Sequence, residues 1–242
     1  MTLVPYRDTR RPGRRAPLNR EQVVRGAVAL LDEEGLEGIS MRALASRLGV
    51  KAASLYRHVR DKEELLTLMA DELSAEIPYQ VEARGWREAM KEMAHRYRHA
   101  LQRHRDAARL MAATPPSGPR RLRHVEAVLQ VLLDAGLSER DAARAAYHAN
   151  NFITEFAADE ARMAATARDM GVTRKKLMAM GKQMFRSLPP SEFPALTRLA
   201  DRLMEDDPDG LFEFGLELLL DGLEPRRRAR TATARPARAA RR

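Results

Sequence analysis

Residues 42 to 62 carry six cations, Arg42, Arg47, Lys51, Arg57, Arg60 and Lys62, against the single acid Asp61, a local net of +5, with Tyr56 and His58 set among them. That mixture suits a polyanion. Ammonium and guanidinium groups neutralise phosphates, and a guanidinium can also make two parallel hydrogen bonds to the edge of guanine. A charge run alone is ordinarily a solvated face, so the scaffold beneath it decides the matter. Ser40 is a good N-cap, and Leu44, Ala45 and Leu48 form one helical stripe. Gly49 can take the left-handed conformation that ends a helix, and Val50-Lys51 leaves room for only a short turn. A second helix then starts near Ala52, with Leu55 and Val59 turned inward and Lys51, Ser54, Arg57 and His58 on other faces. Ala52 and Ala53 keep its start slim. The pattern predicts a helix-turn-helix whose second helix enters a DNA major groove by its N-terminal end.

The surrounding elements must hold that pair in place. Asn19 with Gln22 is a capping-box variant, and Val23, Val24, Ala27, Val28 and Leu31 make a stripe that stops before Gly35. This helix completes a three-helix module over residues 19–60. Asp61 and Glu64 open a fourth helix, whose Leu65, Leu68, Met69, Leu73 and Ile77 point to a buried face before Pro78. Further helices are expected at 86–104, 106–113, 119–134, 138–167, 194–205 and 208–223, punctuated at Pro115-Pro116, Gly136, Pro189-Pro190, Pro194 and Asp207-Pro208. Residues 168–192 read either as a helix around Arg174–Phe185 or as a mobile lid.

Composition limits the alternatives. The 242 residues contain 44% apolar and 5% aromatic side chains, abundant Ala, Leu, Arg and Glu, and no confident strand, so an all-α fold is expected. Without cysteine there is no disulfide, no thiol chemistry and no cysteine-histidine zinc site. No run of eighteen apolar residues occurs, and the N-terminal stretch lacks the apolar core of a signal peptide, so a soluble cytoplasmic protein without a membrane role is expected. The net charge of +9 divides into +4 over residues 1–18, +8 over 225–242 and −3 between them. Both ends are expected to be disordered and basic: 1–18 an arm leading into the DNA-reading module, and 225–242 a DNA-gripping or merely solubilising tail.

Leu18-Asn-Arg-Glu-Gln-Val-Val24, Gly38-Ile-Ser-Met-Arg-Ala-Leu-Ala45, Ser54-Leu-Tyr-Arg-His-Val59 and Asp61-Lys-Glu-Glu-Leu-Leu66 resemble the TetR (tetracycline-repressor-like) family. Residues 212–223 are similar to the last helix of that family's C-terminal domain. The resemblance implies an N-terminal helix-turn-helix domain, here 19–65, and a C-terminal helical bundle for ligand binding and dimerisation, here 66–224. It also implies a homodimer on a near-palindromic DNA operator, released by a small-molecule effector. Carried onto this chain, the DNA-contacting positions are Arg42, Ala52, Ala53, Ser54, Tyr56, Arg57, His58 and Lys62, to which the residue pattern adds Lys51. Arg57 is expected to read a base, and Tyr56 and Lys62 to touch phosphates.

A largely apolar effector site is expected between helices of the second domain, lined by Met90, Met93, Tyr97, Met111, Tyr147, Asn150, Asn151, Ile153, Glu155 and Phe156. In the tetracycline-binding members of the family, alignment on Arg105-Asp-Ala-Ala108 places the metal-ligating histidine at Met111 and a drug-contacting asparagine at Met93. A magnesium-chelated drug is therefore not expected, although Asp159 stands near a further acidic position. His95 and His99 share a helix face, but neighbouring arginines oppose a cation, so neither metal nor cofactor is assigned. Leu211, Phe212, Leu216, Leu219 and Leu223 form a broad stripe expected to pair two copies. Enzyme motifs are lacking: there is no Gly-x-Ser-x-Gly and no phosphate-binding glycine loop. An architectural DNA-binding protein without ligand control, or a transcriptional activator, remains the alternative.

Overall fold

The computed structural model describes residues 18–83 and 85–233, with side chains described as far as Arg227. Its described residues form eleven α-helices and no strand. Three make the head: α1 (Arg20–Glu34), α2 (Met41–Leu48) and α3 (Ala52–Leu55), with a 3-10 turn at Leu36–Gly38 between the first two. The expected stop signals act as anticipated. Asn19 accepts the amide of Gln22 while the Gln22 side chain accepts that of Asn19, Ser40 accepts from Ala43, and Gly49 sits in the left-handed region at φ 66°. Val23, Ala27, Leu31, Ile39, Leu44, Leu55 and Val59 close the small core beneath.

Helix α4 (Lys62–Ser74) is capped by Asp61, packs Leu65 and Met69 against α1, and crosses the expected boundary at residue 65, so head and body share one continuous rod. The body is built around the long α8 (Glu139–Asp169), on which α5 (Trp86–Arg103), α6 (Ala107–Ala113), α7 (Pro119–Asp134) and α11 (Pro208–Thr233) pack. Between α8 and α11, α9 (Arg174–Arg186) and α10 (Pro194–Leu203) form a hairpin tied by Asp201 to Lys182 and Arg186. Of the two readings of 168–192, the helix is present, capped by Thr173.

At its C-terminal end the fold departs from expectation. Helix α11 does not stop at Leu223 but runs through Pro225 to Thr233, so residues 225–233 belong to it rather than to a loose tail. Proline there removes one backbone hydrogen bond. Side chains beyond it hold the turn to the body: Arg227 donates to Ala135 O at 2.7 Å and lies 4.9 Å from the Trp86 ring centre, and Arg226 reaches Asp141. The rest of that tail, 234–242, and residues 1–17 of the basic arm lie outside the described residues.

The expected dimer stripe is also split. Phe212 and Leu216 are fully buried in the chain's own core, and so cannot face a partner. Phe212 stacks on Phe152 with centroids 5.3 Å apart, meets Phe156 edge-on at 5.1 Å, and carries the Arg98 guanidinium 4.6 Å from its ring centre. Arg98 is itself buried. It pairs with Glu160 through two hydrogen bonds of 2.9 and 2.6 Å and with Asp209 at 2.8 Å, locking α5, α8 and α11 together. It is one of the buried charges of the body.

Candidate DNA interface and ligand cavity

The segment after Gly49 is one helical turn, α3, followed by a turn at 56–58, and so is shorter than the helix reaching Val59 that the sequence pattern suggested. Leu55 and Val59 are buried, while Ala53, Tyr56 and Arg57 are exposed together with Lys51. Arg42 and Lys62 are exposed, and Ala52, Ser54 and His58 are partly covered. The structure also sorts the cations, which a sequence count cannot do. Arg47 is held by Glu33, and Arg60 donates to Glu64, which also accepts the Arg60 amide and pairs with Arg20. The Arg60 amide holds the Glu64 carboxyl below its usual range despite partial burial. Arg42, Lys51, Arg57 and Lys62 have no acidic partner among the described residues. A cation already neutralised inside the protein releases little counterion on a polyanion, so these four are the ones of the expected set left without an internal acid.

The body holds a cavity of about 710 Å³ between α5, α6, α7 and α8, with the end of α4 as part of its wall. That volume accommodates a drug-sized molecule. Nine of the ten expected residues line it: Met90, Met93, Tyr97, Met111, Tyr147, Asn150, Asn151, Ile153 and Glu155. The exception is Phe156. It turns to the other side of α8, where it packs on Phe212 and Phe152, because successive positions on a helix point about 100° apart. Met90, Met93, Met111 and Ile153 are buried in the apolar depth, whereas Tyr147, Asn150, Asn151 and Glu155 are exposed at the rim. Asp159 lies outside the cavity and pairs with Arg162. His95 bonds Glu213 instead of joining His99 in a ligand set, and no group of three metal-capable side chains occurs among the described residues.

Helix α7 contributes a face that the sequence reading missed: Arg121, His124, Val125 and Val128. Their i, i+3, i+4, i+7 spacing marked an inward stripe, and two polar members within it were the available signal. The His124 ring lies 5.4 Å from that of Tyr97, and burial pushes its pKa down to about 4. Burial likewise raises the Tyr97 phenol, whose Oη lies 3.4 Å from Thr154 Oγ1.

Two joints connect this cavity to the head. In the first, Asp71 of α4 is buried and accepts the backbone amides of Arg120 and Arg121 at 2.8 and 3.0 Å, capping α7 from another helix. Gly118 permits that approach, since a Cβ there would stand 2.2 Å from the Asp71 carboxylate. Ser74 and Ile77, just beyond, line the cavity. In the second, the α5–α6 junction clasps the end of α1: Asp106 accepts the Leu36 amide at 2.9 Å, Arg105 donates to Glu33 O, and His104 lies between Asp32 and Glu76.

A cationic helix-turn-helix joined through one rod to a helical body with an apolar cavity defines a ligand-responsive DNA-binding regulator. Residues 23–69 match the model for bacterial regulatory proteins of the tetR family, and residues 78–227 that for the tetracyclin repressor-like C-terminal domain. The tetracycline repressor protein class C of Escherichia coli is 34% identical over 214 residues, covering 87% of this chain and 92% of that protein. The HTH-type transcriptional repressor DrrR1 of Streptomyces coeruleorubidus is 32% identical over 220 residues, covering 89% and 81%. Among solved structures, Streptomyces coelicolor ActR in complex with actinorhodin aligns with a TM-score of 0.77 at 33% identity, over 86% of this chain and 96% of that one. The chain belongs to the TetR family of transcriptional regulators. It is not an enzyme, and no helix among its described residues is long and apolar enough to cross a membrane.

Proposed function

We propose that this protein is a cytoplasmic homodimeric repressor that occupies a near-palindromic operator and leaves it when a small molecule fills the α5–α8 cavity. The observation that carries the reading is the shared rod: α4 packs on the head at one end, and at the other caps α7 and lines the cavity. A ligand that displaces α7 or the end of α4 therefore changes the angle at which the head is held. Arg57 reads a base edge from the exposed turn that follows α3, Ala52, Ala53 and Ser54 allow the α3 backbone to approach DNA, and Arg42, Lys51, Tyr56, His58 and Lys62 position the head on phosphates. Two heads about 34–36 Å apart would occupy successive major grooves.

Dimerisation fits the exposed face of α11. There Leu211, Phe214 and Leu218, spaced three and four apart, are each about 60% exposed beside the partly covered Leu219 and Leu223. Two copies pairing through α8 and α11 would bury that stripe as a four-helix contact. The ActR complex makes actinorhodin a first probe for the cavity.

Effector control requires differential affinity, because a ligand that binds both conformations equally shifts nothing. A saturating ligand should weaken operator binding by about 1–3 kcal/mol, which is roughly 5–150-fold. Titration of operator DNA with and without a compound that fills the cavity tests this. Unchanged operator affinity at saturation would contradict induction and favour a DNA-binding protein without ligand control.

A further inference from the structure

Two arginines of the described residues are buried, and they are treated differently. Arg98 has Glu160 and Asp209 as direct ionic partners. Arg121 has no carboxylate within ion-pairing distance among the described residues. Its guanidinium donates to the main-chain oxygens of Met111, Thr114 and Pro115 and to Thr114 Oγ1, at 2.8–3.2 Å. These carbonyls end α6, and the partial negative charge of a helix C-terminus offsets only about half of a unit charge. Asp71 acts on Arg121 through space, but its Oδ1 is taken by two backbone amides of α7. Burial accordingly dominates and lowers the Arg121 pKa, so the cation is incompletely compensated.

That cation borders the cavity, and one helical turn away on the same face stands His124. Nδ1 of His124 is buried without a hydrogen-bond partner among the described residues. Glu155, the one acid among the lining residues, is exposed at the rim and pairs with Arg162, so it does not supply the missing charge. The rest of the depth is largely apolar, and its other buried polar groups, the hydroxyls of Ser74, Tyr97, Thr114 and Thr154, are neutral.

We propose that the cavity binds a largely apolar molecule bearing one deprotonated acid group, a carboxylate or an acidic enol or phenol, with that group set against Arg121 and hydrogen-bonded by His124. The proposal rests on the ligand-responsive reading above and adds the charge of the ligand. The anion completes for Arg121 what Glu160 and Asp209 do for Arg98. The imidazole is neutral at pH 7, so it contributes a single N–H donor without bringing a second buried charge.

Anthraquinone-2-carboxylate and its carboxamide, matched in shape and differing in charge, test the assignment by calorimetry on the full chain at pH 7.5. The carboxylate should bind at least ~10-fold more tightly than the amide, as a charge-assisted hydrogen bond requires. Arg121→Gln should reduce the preference below about twofold, and Arg121→Lys should keep most of it. Circular dichroism checks that the variants remain folded, and the wild-type comparison stands without them. Equal or tighter binding of the carboxamide overturns the anion assignment while leaving the cavity as a ligand site. A preference that persists in folded Arg121→Gln also overturns it. Binding of neither probe, with no compound of a neutral, acidic and basic polycyclic series bound either, overturns the ligand-responsive reading itself.

Discussion

Replacing His124 with phenylalanine should flatten the acid limb of the protein's stability curve. The imidazole projects from α7 against Tyr97, largely covered with Nδ1 buried, and desolvation alone takes its pKa from 6.5 to about 4. Above pH 6.5 it is neutral in both folded and unfolded chains and contributes no pH dependence. As the pH falls below 6.5 the unfolded chain takes up the proton, while the native chain refuses it until about pH 4. Stability is therefore lost across that window. The gap, at about 1.36 kcal/mol per pH unit, amounts to about 3 kcal/mol in full, of which about 2 kcal/mol is lost between pH 7 and pH 5. Phenylalanine keeps a ring against Tyr97 and cannot titrate. Urea denaturation followed by circular dichroism, at one fixed protein concentration and at pH 7, 6 and 5, gives both curves. Carboxylates held below their usual range, such as Glu64 and Glu213, contribute equally to the two proteins and cancel in the difference. Parallel curves for wild type and His124→Phe would refute the account of a neutral, buried imidazole at the cavity wall.

Other predictions concern the head, the joint and the dimer. Arg57→Ala should cost about 1–3 kcal/mol on the cognate operator and relax its base preference, whereas Lys62→Ala should weaken all sequences alike and lower the salt slope by about 1; identical behaviour across operator variants would remove the distinction. Asp71→Ala removes the cap that α4 provides to α7 and should cost about 1–2 kcal/mol of stability in thermal melts. In operator titrations the same variant should keep its ligand-free affinity but lose most of the ligand response, and a full response would place the coupling elsewhere, at the α1 clasp. Leu218→Glu puts a charge into the exposed stripe of α11 and should weaken dimerisation at least ~100-fold by analytical ultracentrifugation while leaving helix content intact; an unchanged dimer would move the interface off α11.

The elements most legible in the sequence were those fixed by local chemistry. Asn19, Ser40, Gly49 and Asp61 each mark a helix end because each satisfies or releases backbone groups within a few residues, and Pro119, Pro194 and Pro208 stand in first helical turns for the same kind of reason. The reading head follows from these signals alone. Features set by distant partners were not legible. Arg98 sits among charged neighbours, yet its partners, Glu160 and Asp209, lie on other helices. In α11 both faces are apolar, so periodicity could not distinguish Phe212 and Leu216, which fill the core, from Leu211, Phe214 and Leu218, which face outward. Phe156 is turned about 100° around α8 from its neighbour Glu155, which is enough to move it from the cavity to the core, and α11 continues past Leu223 where long-range contacts of Arg226 and Arg227 hold it. Arg121 and His124 were passed over because a buried cation and an unpartnered imidazole declare themselves only once their surroundings are known.

Selection of sites from a random DNA pool by the purified protein tests most directly whether α3 and its flanking cations read DNA in pairs. The account predicts an inverted repeat whose half-sites lie about one helical turn apart, or a small multiple of it, centre to centre, and whose enrichment disappears with Arg57→Ala. Recovery of a single unrepeated site, of no preferred sequence, or of the same repeat by the Arg57→Ala protein would contradict it.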